Sequence, residues 1–285
     1  MDAVTVIIPT YNRAGRIEST ISSVLDQDYG KVEIIVVDDG STDSTESIVR
    51  GLADKSADSN KQIRYVKQPN QGACVARNHG MMLATGRYIM FLDSDDLIKK
   101  SMLSIQVSKI ESENTQCSIC DFETVDESGM VLNYYNNNRH PHDFIRNLIS
   151  PHISSLLMRR DSIPPGLVWN PKLLRTQDID FIYKYFASIE SYSYVNEALF
   201  HYCLHGDERI SDGYIKGLQY RVLRESFRSY VNNNDLFPIY PKQVCNAYMY
   251  ALWRHQIKNF IAKHTPLRAK LVIKKLHPYI KLYIT

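Results

Sequence analysis

The sequence predicts an α/β protein: a mostly parallel sheet flanked by helices, followed by a mainly helical C-terminal extension. Three observations lead there. Short apolar runs rich in β-branched residues alternate with segments of helical periodicity over the first hundred residues, as strand–helix–strand units do. The runs are apolar throughout rather than every second residue, which fits strands covered on both faces. Several end in a polar motif, at the carboxyl ends where open parallel sheets bind ligands.

Val4 to Ile8, closed by Pro9, is a first strand, and Gly15 to Gln27 spaces Ile17, Ile21, Val24 and Leu25 along one helix face. Val32 to Val37 is a second strand ending at Asp38-Asp39-Gly40. Ser41 to Ser44 offers N-caps for a helix over Ser44 to Leu52. A polar loop is expected from Ala53 to Gln62, then a strand from Ile63 to Lys67, a helix from Gly72 to Ala84 and a strand from Tyr88 to Leu92. Beyond residue 101 the pattern loosens. It gives a helix over Met102 to Ile110, a strand over Ser118 to Val125, a turn at Asp126 to Gly129 and a polar loop from Tyr134 to His142. Pro164-Pro165-Gly166 breaks the chain before a helix around Gln177 to Ser188, and from Gly213 onward it reads as helices.

At 285 residues, 44% hydrophobic and 23% charged, the composition is that of a globular protein. No apolar run reaches the length of a bilayer span, no basic signal region opens the chain, and the five cysteines are few and odd in number. The expectation is a cytoplasmic protein with reduced thiols. Cys117 and Cys120 have redox or metal spacing, but they stand in a strand-like stretch with no second pair or nearby histidine. Charge divides unevenly. Residues 1–212 hold 21 Lys and Arg against 29 Asp and Glu, and residues 213–285 hold 13 against 2. The last stretch, 251–285, carries eight basic residues, no acid and interleaved aromatics, which suits an anionic membrane surface and peripheral attachment to the inner face of the cell membrane. Packing of that stretch on the catalytic domain, or a homo-oligomer, is the alternative. No nucleic-acid-binding module accompanies the charge.

Chemistry concentrates in three places. Asp93, Asp95 and Asp96 stand where the fourth strand stops, and so much negative charge at one point suits a divalent cation held by hard oxygen ligands; a solvated acidic turn is the plainer alternative. No Gly-rich Walker loop or G-x-G-x-x-G is present, so a nucleotide would rely on carboxylates, a metal and strand-tip residues. Asp39 could accept from a base or ribose, or cap a helix. Tyr11 could stack beside a base, or pack. Arg77 could clamp a diphosphate, or lie on the surface.

Together, Val-Ile-Ile-Pro-Thr-Tyr-Asn (6–12), Val-Val-Asp-Asp-Gly-Ser-Thr-Asp (36–43), Asn-Gln-Gly with Ala-Arg-Asn (70–78) and Phe-Leu-Asp-Ser-Asp-Asp (91–96) resemble the family 2 inverting glycosyltransferases of bacterial surface-polysaccharide type. The resemblance implies a GT-A-type fold with a Rossmann-like nucleotide-binding half over 1–100 and an acceptor-binding half over 101–212, and then a basic helical region over 213–285. It implies a nucleotide-diphosphate sugar donor (a UDP-sugar above others), Mn²⁺ or Mg²⁺, and a saccharide or lipid-linked saccharide acceptor. Donor-site positions carried over are Pro9, Tyr11, Asp39, Arg77, Asp93, Ser94 and Asp95, with Asp93, Asp95 and the late His205 as metal ligands.

The family's general base is the Asp of a Glu-Asp pair that opens a helix. Gln177-Asp178 stands in that place, so Asp178 is assigned as base, with Gln177 a departure and Asp180 the rival. Cys203 likewise stands where the family often has Arg, and Arg209 could substitute. A nucleotidyltransferase acting on a sugar phosphate would also combine an α/β sheet with acidic metal ligands, but its Gly-rich basic loop is missing. A non-catalytic nucleotide-sugar-binding protein is the remaining alternative.

Overall fold

The structure, a computed structural model, describes residues 2–57, 59–138, 151–174 and 176–205. The expectations for residues 139–142 and 206–285, including Cys245, Arg209 and the basic tail, lie outside the described residues.

Strands β1 (Val4–Thr10), β2 (Val32–Asp38), β3 (Lys61–Lys67) and β4 (Tyr88–Phe91) alternate with helices α1 (Ile17–Leu25), α2 (Thr45–Ser56) and α3 (Ala73–Leu83). Then come β5 (Leu97–Ile98), α4 (Met102–Glu113), β6 (Cys117–Val125), β7 (Val131–Tyr135), β8 (Leu156–Arg159), α5 (Gln177–Phe186) and β9 (Ser193–Cys203). One sheet runs β3-β2-β1-β4-β8-β6-β9-β5, with β7 on β6. The first four strands are parallel, as their uniform apolar runs require. Beyond β4 the sheet is mixed: β8 is antiparallel to β4 and β6, and β9 is parallel to β6. The strand order reverses between β1 and β4, and the crevice at their carboxyl ends is the topological switch point.

Alternate strand residues feed two cores. Ile7, Ile35, Val37, Ile89 and Phe91 face α3, α5 and Trp169, whereas Val6, Ile8, Ile34, Val36 and Met90 face α1, α2 and α4. Cys117 and Cys120, three apart on β6, fall into opposite cores, so strand geometry keeps these free thiols apart. Burial pushes the Cys117 thiol up to about 12, which leaves it protonated and inert.

Several boundaries move. α2 continues to Ser56, past the expected end at Leu52, because Ala53, Asp54 and Lys55 tolerate a helix. Asp43 rather than Ser44 caps it: one carboxylate oxygen accepts from Thr45 N at 3.0 Å, while Ser44 makes no side-chain cap. Tyr134 and Tyr135, expected in a loop, belong to β7, where Tyr135 stacks on Phe122 across the strand pair at 4.6 Å.

Gly80 sets the seat of α3. A Cβ there would lie 2.3 Å from Cγ2 of the fully buried Ile7, on a stiff β-branched side chain. Gly80→Ala is therefore expected to lower stability by about 1–3 kcal/mol in a urea titration, although alanine is the better helix former. An unchanged or raised midpoint would mean that helix and strand separate freely.

Candidate functional site

The tips of β1 and β2 are tied together by hydrogen bonds rather than merely adjacent. Asp39 N donates to Thr10 O at 2.8 Å, Asn12 N to Ser41 Oγ at 2.9 Å, and Thr42 N to Asn12 Oδ1 at 2.9 Å. Asn12 adopts φ +50°, a left-handed conformation that asparagine tolerates better than most residues. Pro9 is buried in a strand flanked on both sides, where a missing N–H would normally break a ladder. Thr10 O faces β2 and Ile7 O accepts from Leu92 N, so Pro9 points its absent donor toward the β4 side. The β1–β4 pairing stops at Ile7 and Phe91. The proline thus falls where β4 has already left for the acidic turn, and no donor is lost.

Tyr11 stands beside this opening and is 45% exposed, open to a stacking partner. Asp39 is buried, and its carboxylate accepts from Gln68 Nε2 (2.8 Å), Gln71 N (2.9 Å) and Gly72 N (2.7 Å). By accepting from the backbone of Gln71 and Gly72, Asp39 ties the tip of β2 to the start of α3. Its neighbour Asp38 is structural, accepting from Ser41 N (2.7 Å) and Tyr65 Oη (2.6 Å).

Asp93 to Asp96 form a tight turn, Asp96 N donating to Asp93 O at 3.1 Å, with Ser94 buried inside it. The three carboxylates take different partners. Asp93 accepts from Arg77 Nη2 at 2.7 Å, Asp95 lies 3.7 Å from Arg13 Nε, and buried Asp96 accepts from Cys203 N at 3.1 Å. Burial pushes the Asp93 carboxyl up, but Arg77, with His152 and Arg13, outweighs it and holds the group below the usual carboxylate range.

Arg77 is 8% exposed. Its Nη1 donates to Gln177 Oε1 at 3.1 Å, its Nη2 to Asp93, and its plane lies 4.4 Å from the Trp169 ring centre. The guanidinium, expected at a diphosphate, bolts the end of β4 to the start of α5. Asn78, next in the Ala-Arg-Asn motif, binds the backbone of Trp169 twice, donating to O and accepting from N at 2.8 Å each. Trp169 in turn stacks on Phe181 (4.5 Å) and meets Phe91 edge-on (5.0 Å). Arg77 and Asn78 therefore join the β1–β4 part of the fold to Trp169 and α5.

At the start of α5, Thr176 sits at φ +59°, an outlier for a β-branched residue. Gln177 accepts from Arg77 and donates from Nε2 to Leu173 O at 2.8 Å, two contacts of opposite sense that an amide makes at once and a carboxylate does not. Asp178, in the first turn, is half-buried. The rival Asp180 is fully buried and paired with Lys184 at 2.7 Å on the far side of the helix.

Two residues escape a reading by motif. His152 is half-buried against Phe200 and Tyr202, its Nδ1 accepting from Ser154 N at 3.3 Å and its Nε2 4.0 Å from Asp96. Burial keeps this imidazole below its usual pKa against the pull of Asp93, Asp178 and Asp95, all of which lie within electrostatic reach of it. Asp93, Asp96 and His152 offer ligand atoms within 4.8 Å of one another, the one such group with metal-binding potential among the described residues. Arg13, immediately after the Pro9–Asn12 motif, is the second. The expected ligand His205 instead has Nδ1 3.9 Å from Glu127.

Among the described residues no helix is long and apolar enough to cross a membrane. The protein-family model described as Glycosyl transferase family 2 matches residues 5–162, more than half of the chain. A Bacillus subtilis protein named as putative teichuronic acid biosynthesis glycosyltransferase TuaG is 33% identical over 176 residues, 62% of this chain and 69% of that one. The chain spans only 19–21% of the length of Rickettsia relatives named as uncharacterized glycosyltransferases. S. aureus TarS, in complex with UDP-GlcNAc, superposes with a TM-score of 0.74 at 21% identity, covering 95% of this chain and 78% of that one. The mannosyltransferase PcManGT of Pyrobaculum calidifontis, in complex with GDP-Man and Mn²⁺, does so with 0.60 at 19% identity, covering 97% and 80%. The mixed, helix-flanked sheet is thus the GT-A-type fold, and the chain belongs to glycosyl transferase family 2.

Proposed function

We propose that this chain is an inverting glycosyltransferase that moves a sugar from a UDP-sugar to a hydroxyl of a saccharide or lipid-linked saccharide in surface polysaccharide synthesis. The observation that carries the reading is the meeting of the D-x-D turn with the first turn of α5 through Arg77, and with the end of β1 through the Arg13–Asp95 pair. Tyr11 stacks on the base and Asp39 accepts a hydrogen bond from it. Asp178 takes the proton of the acceptor hydroxyl as the new bond to the anomeric carbon forms and the bond to the diphosphate breaks on the opposite face. Gln177 and Thr176 fix where Asp178 stands. Arg77 keeps Asp93 ionised, and His152 and Asp96 close the floor of the site.

The donor set fits a divalent cation. Hard carboxylates from Asp93 and Asp95 suit Mg²⁺ or Mn²⁺, and buried Asp96 with the His152 imidazole adds a borderline ligand that suits Mn²⁺ better. Asp93 and Asp95 would hold it, with His152 and Asp96 beside them. His205 faces Glu127 through Nδ1, and its buried Nε2, which has no hydrogen-bond partner among the described residues, is the nitrogen it would offer. When bound, such an ion stabilises negative charge on the leaving diphosphate. The Mn²⁺ of PcManGT and the UDP-GlcNAc of TarS support the ion and the donor class. The basic stretch 251–285 is proposed to hold the chain at an anionic membrane surface.

A screen of nucleotide sugars by thermal unfolding tests the reading. A UDP-sugar near 100 times its Kd should stabilise the protein by about 2.7 kcal/mol with Mn²⁺ present, and much less with EDTA. Stabilisation by nucleoside triphosphates alone, with pyrophosphate release, would replace it with nucleotidyl transfer.

A further inference from the structure

The two carboxylates of the D-x-D pair each face an arginine, and the arginines are held in opposite ways. Arg77 is buried, lies over Trp169, and engages both Asp93 and Gln177. Arg13 has a side chain 38% exposed and approaches Asp95 with Nε at 3.7 Å, beyond hydrogen-bond length. Its backbone is nevertheless fixed. The N–H donates to Thr45 Oγ1 at 2.9 Å, and the carbonyl accepts from Arg16 N and Ile17 N at the start of α1. A firmly rooted side chain with a loosely held charge therefore stands at the mouth of the crevice.

We propose that Arg13 holds the place of the divalent cation on Asp95 and, once displaced by it, binds the diphosphate of the donor. This rests on the reading of Asp95 as a metal ligand. A partly exposed ion pair is weak, so a doubly charged cation with direct oxygen coordination displaces the guanidinium. The same cation repels it, and Arg13 must swing about its fixed backbone toward the nearest new anion. That anion is the diphosphate, whose oxygens match the planar fork of a guanidinium. Cation and nucleotide then help each other: the cation frees Arg13, and the nucleotide occupies it. Linkage makes this help reciprocal.

The test uses the full chain, with Mn²⁺ alone and then UDP in saturating Mn²⁺ as titrants in calorimetry. Arg13→Ala should bind Mn²⁺ about 5-fold more tightly, having lost a competitor, and UDP at least about 10-fold more weakly, having lost a charge-assisted contact. Arg13→Lys should keep Mn²⁺ affinity near wild type and still bind UDP weakly, because an ammonium lacks the fork. Opposite signs are the signature, since a misfolded or merely structural variant loses both affinities together. Weaker Mn²⁺ binding by Arg13→Ala, or a UDP defect with Mn²⁺ affinity unchanged, overturns the exchange and leaves the cation site standing. Failure of the wild-type chain to bind Mn²⁺, or retention of Mn²⁺ by Asp95→Asn, removes the Asp95 assignment itself and the exchange with it.

Discussion

Asp178→Asn is expected to lower the turnover of sugar transfer by about 10³-fold while leaving UDP and Mn²⁺ affinity near wild type. Asparagine keeps the shape and the first-turn position of Asp178 but cannot accept the proton of an acceptor hydroxyl. The loss should appear in kcat, because the proposed role of Asp178 is toward the acceptor hydroxyl and not toward the donor. Asp180→Asn supplies the contrast. Asp180 is fully buried against Lys184 at 2.7 Å, so neutralising it strands a buried ammonium and costs about 3–5 kcal/mol of stability. Protein that remains folded should turn over normally. UDP release in the presence of acceptor, set beside urea midpoints for both variants, separates the roles. A kcat loss confined to Asp180→Asn would move the base two residues along the helix.

The contrast between the two aspartates was only partly legible in the sequence. Helical spacing separates residues 178 and 180, but it does not say which faces the crevice. That is decided by the aromatic wedge of Phe91, Trp169 and Phe181, which presses one side of α5 onto the sheet and buries Asp180 with it. The motif residues Tyr11, Asp39 and Asp93 were legible because parallel strands buried on both faces announce themselves as unbroken apolar runs, and their ends are where ligands meet such sheets. Val6 to Ile8 and Val32 to Val37 fold as their composition dictates.

The second half of the sheet gives weaker signals. Every residue of β7 is exposed, so it carries no buried stripe, and its pairing rests on cross-strand contacts such as Tyr135 on Phe122. β8 has four residues and pairs with β4 and β6, strands some seventy and forty residues away, which no local pattern encodes. His152 follows from that same nonlocal pairing. It has no motif of its own and reaches Asp96 only because β8 lies beside β4. Arg13 is hidden differently, one residue past the Pro9–Asn12 motif and with no motif of its own.

Arg77→Leu is expected to cost about 3 kcal/mol of stability and to disable the site at once. The substitution removes both donors of the guanidinium, so Asp93 loses its 2.7 Å partner and Gln177 its 3.1 Å partner while both stay largely shielded from water. Leucine fills part of the space above Trp169, which limits the packing loss, but it satisfies neither oxygen. The figure sits at the low end for a broken buried pair because Asp93 keeps some contact with solvent. Arg77→Lys isolates geometry from charge. An ammonium restores one positive charge beside Asp93, yet it has no second arm for Gln177 and no plane to lie on the indole. Stability should then recover by about half, whereas turnover should stay low, because the first turn of α5, and Asp178 with it, is no longer tied to the end of β4. Equal recovery of stability and turnover in Arg77→Lys would mean that charge alone matters here and that the Gln177 contact is incidental.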